Sequence, residues 1–115
     1  MPRTTLTKTT LTTNGWPTAG VTATVTAADA SNLNQCTFTG KEVIIARNSG
    51  AGARTVTITS VSYLGRTGHI TAESIAAGAT KVFGPFAIDG WKQTDGYLYF
   101  QGEHAEVLFT VLVLP

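Results

Sequence analysis

A chain of 115 residues with a formal net charge of +1 has room for one compact domain and no concentrated charge to offer a nucleic acid. Charged residues make up 13% of it, about half of the roughly 25% usual in soluble domains, so uncharged polar groups, threonine above all, must carry the surface. The basic residues from Arg3 to Lys92 are scattered without a patch, and the most apolar stretch, "VLFTVLVLP", is far shorter than the ~20 residues of a membrane span.

The first 18 residues, "MPRTTLTKTTLTTNGWPT", repeat TTLTK as TTLTT and offer only Leu6 and Leu11 as apolar anchors before Trp16-Pro17. So few apolar side chains cannot bury a core, which predicts an N-terminal arm over residues 1–18, ordered on assembly, ahead of a domain over 19–115. The segment also lacks the apolar h-region of a signal peptide, and the expectation is a soluble protein made in a cytoplasm.

"GVTATVTA" then alternates Val21, Ala23 and Val25 with Thr22, Thr24 and Thr26, the period of a half-buried strand built from β-branched residues. In "TAADASNLNQC", Asp29 or Ser31 is placed to cap a single helical turn. Cys36, the only cysteine, has no internal disulfide partner and is expected to behave as a small buried hydrophobe.

"KEVIIARN" and "RTVTITSV" read as strands, the second with Val56 and Ile58 on one face and Thr55, Thr57 and Thr59 on the other. The glycine-rich "NSGAGA" between them lacks the lysine and following helix of a phosphate-binding loop, so it reads as a hairpin end. "TKVFGPF" is a further strand interrupted at Gly84-Pro85, because proline has no N–H to donate. The interruption is expected to keep Phe83 in the core and turn Phe86 to the rim.

Asp89-Gly90 and Asp95-Gly96 fit turns on either side of Trp91, and "GYLYFQG" follows as a strand. Aromatic residues concentrate here: Phe83, Phe86, Trp91, Tyr97, Tyr99 and Phe100 fall close together, whereas residues 39–82 hold only Tyr63. The last strand, in "AEVLFTVLVL", is apolar on both faces, with Val107, Phe109, Val111 and Val113 on one and Leu108, Leu112 and Leu114 on the other. A strand of that kind is central, or covered by a neighbouring subunit. Short strands at this spacing predict an all-β sandwich or barrel.

No catalytic constellation emerges. His69 and His104 lack ligand spacing, the carboxylates are dispersed, and the serines and threonines sit in strand patterns that account for them as sheet surface. No catalytic, cofactor-binding or metal-binding residue is assigned, and no enzymatic activity is expected.

The succession "TATVTAADASNLN", "TGKEVIIARNSGAGARTVTITSV", "GRTGHITAESIAAGATKVFGPF", "GWKQTDGYLYFQG" and "VLVLP" resembles small proteins encoded beside the major capsid genes of tailed bacteriophages and prophages, over roughly residues 20–115. The resemblance implies a virion structural component, a capsid decoration (cement) protein on the outside of the head, with a β-sandwich of jelly-roll type. The implied partners are the major capsid protein and further copies of the chain, a trimer being preferred because shell proteins commonly occupy threefold axes; neither nucleic acid nor membrane is contacted. Candidate contact residues are Leu6, Leu11, Trp16 and Pro17 in the arm, Pro85, Phe86 and Trp91 around the interrupted strand, and Leu108 and Leu112 on the last strand. Two other readings remain: a head–tail joining or tail-tube subunit, and a carbohydrate-binding module using Trp91, Tyr97 and Tyr99 as a stacking platform.

Overall fold

The computed structural model describes residues 3–11, 21–62, 64–65 and 68–114. Strands dominate, and they form two mixed sheets over one apolar core, an all-β, sandwich-like architecture. The first sheet has the order β1–β4–β9–β6–β7, from β1 (Thr4–Thr5), β4 (Asn34–Thr37), β9 (Tyr97–Gly102), β6 (Arg54–Thr59) and β7 (Ile70–Ile75). The second runs β2–β10–β5–β8, from β2 (Lys8–Thr10), β10 (Val107–Val113), β5 (Glu42–Asn48) and β8 (Thr80–Phe83), with β3 (Thr26–Ala27) also on β10.

The period of two decides which side chains meet between the sheets. Val56 and Ile58 from β6, Leu98 and Phe100 from β9, Ile44 and Ala46 from β5, and Val107, Phe109 and Val111 from β10 are all buried, and their alternates face outward. The Phe100 and Phe109 rings meet edge to face, with centroids 4.9 Å apart. Cys36 lies in the same core, where burial pushes its thiol up to about 12. Asn48 is polar but fully satisfied: its Nδ2 donates to Gly52 O and Ile75 O, and its Oδ1 accepts from Gly50 N–H, tying β5 to the end of β7.

Residues 3–11 do not hang free as an arm. They add one short parallel strand to each sheet: β1 pairs with β4, β2 pairs with β10, and Leu6 is buried in the core between them. Main-chain bonds fix the path, with Thr4 N–H donating to Leu33 O, Leu6 N–H to Gln35 O and Leu11 N–H to Val113 O. Two carboxylates hold the same segment. Asp29 accepts from Thr4 Oγ1, and the buried Glu42 accepts from Lys8 Nζ at 2.8 Å, from Thr39 N–H at 2.8 Å and from Lys41 N–H at 3.2 Å. Burial of Glu42 pushes its pKa up, but the hydrogen bonds from Lys8 and Thr39 outweigh that, and the net displacement is downward. Asp29 is also held low, first by Thr4 and then by Asn32 N–H.

Several local expectations change. "GVTATVTA" contributes only β3, because the edge of β10 beyond Phe109 is occupied by β2. The turn at 30–32 is not a helix; Asp29 Oδ1 accepts from Ser31 N–H and Asn32 N–H and closes the turn as a side-chain cap. β4 and β7 were not anticipated. Phe86 does not reach the rim: Phe83 and Phe86 are 8% and 7% exposed, and both belong to the core. Gly84 has φ +102°, a left-handed conformation that glycine adopts without a Cβ penalty, and the Phe86 ring folds back over it. A Cβ built on Gly84 would lie 3.0 Å from the ring.

Two outcomes follow for stability. Phe83→Ala and Phe86→Ala are each expected to cost about 3–5 kcal/mol, read from chemical denaturation, since each empties a ring-sized space in the same core. Lys8→Met, which strands the Glu42 carboxylate, should cost about 3 kcal/mol, the low end for a broken buried pair because the Lys8 side chain is 22% exposed. Because Glu42 titrates below its ordinary value of 4.5 when folded, its contribution is complete above that pH and is lost as pH falls through the folded value. Wild-type stability should therefore fall on acidification below about pH 4.5, and Glu42→Gln should be less stable at neutral pH with a shallower acid decline.

Candidate functional site

The two outward faces differ in chemistry. On the first sheet, Gln35 and Thr37 from β4, Tyr97, Tyr99 and Gln101 from β9, and Thr55, Thr57 and Thr59 from β6 alternate with the core residues. The face is polar and internally tied. Tyr99 Oη donates to Asp95, which pushes the phenol's pKa up, and the Arg3 guanidinium lies 4.2 Å from the Tyr99 ring centroid.

The outward face of the second sheet is apolar. Register places Leu112 opposite Val43, Thr110 opposite Ile45, and Ile45 opposite Val82, with Leu108 between Ala27 and Arg47. Only Arg47 carries a charge among these registered positions. Val43 and Thr110 are already buried, at 7% and 8%, whereas Val82 is 61% exposed and Leu108, Leu112 and Ile45 are half-buried. Leaving these side chains in water forgoes roughly 25 cal/mol for each Å² of apolar surface that a partner would cover.

The residues singled out from sequence are distributed unevenly. Leu108 and Leu112 lie on the apolar face as expected, while Pro85 is exposed beside the end of β8. Leu6 and Phe86 are buried in the core and are not accessible for contact. Leu11 is half-buried at the end of β2, and Trp16 and Pro17 lie outside the described residues. Trp91 is half-buried against Phe86, ring centroids 4.7 Å apart, on the core side rather than with the outward-facing Tyr97 and Tyr99. The three aromatics therefore do not make one sugar-stacking platform, and Arg3 covers part of the Tyr99 ring.

Ile45, Val43 and Val82 belong to the apolar face but were not singled out. For Val43 and Ile45 the signal was the run "VIIA", apolar at consecutive positions as in the last strand, whereas Val82 is placed there by its register opposite Ile45.

Other clusters are weaker in chemical content. An open cleft of about 580 Å³ is lined by Asp89, Lys92, Gln93 and Asp95 with Val61 and Ile88, and none of the described residues that line it is aromatic. Ser60 Oγ lies 3.1 Å from His69 Nδ1, but Ser60 N–H also donates to that nitrogen and Gly68 N–H to the hydroxyl. The pair works as a loop clasp. Among the described residues, no group of three or more His, Cys, Asp and Glu could hold a metal ion.

Comparison with protein-family models, with curated proteins and with solved structures finds no significant match to this chain.

Proposed function

We propose that this chain is a capsid decoration (cement) protein of a tailed bacteriophage, of jelly-roll type, binding the outside of the head as a trimer and stabilising it across capsomer junctions. The observation that carries the reading is the contrast between the two outward faces. A plate with extents of 41 × 40 × 24 Å, apolar on one broad side and polar on the other, suits a subunit laid on a shell with its polar side to water. The resemblance of residues 20–115 to proteins encoded beside capsid genes gives the same direction.

The mechanism is mechanical and needs no catalytic group. A subunit that binds the mature arrangement of capsomers more tightly than any expanded or dissociated one stabilises that arrangement by the difference in affinity. Linked copies add their contacts through effective concentration, so a modest energy per site is enough. Leu108, Leu112, Ile45 and Val82 supply the apolar area, and Arg47 sits at the margin of the patch.

The test is reconstitution on purified heads lacking the protein. Wild-type protein should co-sediment with heads in a copy number set by the shell lattice and raise the temperature at which DNA is released. Leu112→Lys, which places an ammonium on the half-exposed apolar face, should leave the melting temperature of the free protein nearly unchanged while weakening head binding at least about tenfold. Unaltered binding by this variant would remove the face from the contact. A small ring of copies at one vertex would instead assign the protein to the head–tail junction.

A further inference from the structure

Residues 21–25, Val-Thr-Ala-Thr-Val, carry a regular alternation rich in β-branched residues, yet the structure gives them no strand partner among the described residues. The cause is competition for one edge. β3 pairs with β10 in the register Ala27 to Leu108 and Thr26 to Phe109; continued, it would bring Val25 to Thr110 and Thr24 to Val111. Val111, Leu112 and Val113 are already paired with Lys8, Thr9 and Thr10 of β2. The segment is displaced from its own sheet, all five residues are exposed, and Val21 and Val25 are 51% and 57% exposed.

One side of the displaced segment has no partner among the described residues. Thr24 N–H donates to Thr9 Oγ1, so it points back at β2. In a strand, successive N–H groups point to opposite sides, which sends those of Ala23 and Val25 outward.

A matching edge exists on the far side of the same sheet. Among the described residues β8 pairs with β5 along one side only, and Val82 stands on it 61% exposed. Its one charge, Lys81, is turned to Glu73 at 2.6 Å, so no unpaired charge opposes an incoming strand. The alternative edge, β7, is unsuited: its register with β6 shifts between Val56 and Ile58, and Ala72 has φ +49°.

We propose that residues 21–25 pair with β8 of a second copy of this chain, joining the second sheets of neighbouring subunits edge to edge. The contact is head to tail, so it builds a closed ring or an open filament according to the rotation it imposes. Three copies in a ring is the form that rests on the decoration reading; the strand contact itself does not depend on a shell. Joining the sheets also makes their apolar outward faces continuous around the ring.

The experiment uses the free full-length chain, without heads. Wild-type protein should sediment as an oligomer of the 12.1 kDa subunit at micromolar concentration. Ala23→Pro removes an outward N–H and should weaken self-association at least about tenfold, while Thr22→Pro, on the side of the Thr24 N–H, should not. Both should melt as the wild-type subunit does, since the segment lies outside the folded sheets. Val82→Cys combined in turn with Val21→Cys, Ala23→Cys or Val25→Cys should give covalent oligomers on oxidation; the wild type, whose lone Cys36 is buried, should not.

A monomeric wild type, or an oligomer indifferent to Ala23→Pro and unlinked by every cysteine pair, overturns the proposal. Self-association that depends on Ala23 in a protein that ignores heads would sustain this contact while removing the decoration reading.

Discussion

The edge-to-face contact between Phe100 and Phe109 fixes the rest of the molecule. Each ring comes from an interior strand of its sheet, β9 in the first and β10 in the second. Beyond the area it buries, such a pair is worth about 0.5–1.5 kcal/mol, but its larger effect is on parity. Once these two side chains face each other, every alternate residue of β9 and β10 is committed inward or outward, and cross-strand register passes the choice to their neighbours. A slip of one residue would turn Leu108 and Leu112 inward and expel Phe109. The apolar outward face of the second sheet is thus a consequence of the same parity that fills the core.

The N-terminal residues show how a segment with little apolar content can still be held. β1 and β2 contribute five residues between them, too few to persist as isolated strands. They are retained because Leu6 enters the core while Thr4 and Lys8 are taken by carboxylates already fixed elsewhere, Asp29 at its own turn and Glu42 by Thr39 and Lys41. Holding β2 there also displaces Thr24 and Val25 from β10, so the ordering of one segment leaves another without a partner.

What could be read from the sequence follows from which interactions are local. β5, β6, β9 and β10 were legible because their periodicity records burial directly. Residues 3–11 were not, since their support comes from β4 and β10, far along the chain, and from one ion pair that no spacing announces. For residues 21–25 the pattern was right and the edge was taken. Phe86 was misplaced because the sequence shows that Gly84-Pro85 interrupts the strand but not that Gly84 lets the following ring fold back over it. β7, "ITAESI", has isoleucine only at its ends, which leaves no alternation to detect. Of the candidate surface, Leu108 and Leu112 were legible from a strand apolar on both sides. Ile45 stood in a consecutive apolar run that does not say which side faces out, and Val82 needed the register.

The position of β10 has a consequence for biosynthesis. It is the last in chain order of the ten strands among the described residues, yet β2, β3 and β5 all pair with it. Until residue 113 has been translated, the second sheet lacks its central strand, and the first sheet has only the β5–β8 pair to close against. Folding is therefore deferred to the end of synthesis of this segment, with loops of about a hundred residues to close before β2 finds its place. During that interval the β-branched stretches are exposed on the nascent chain, and their low charge gives little protection against association. Rapid synthesis through β10, or a holding factor on the nascent strands, is the condition under which this architecture is reached in good yield.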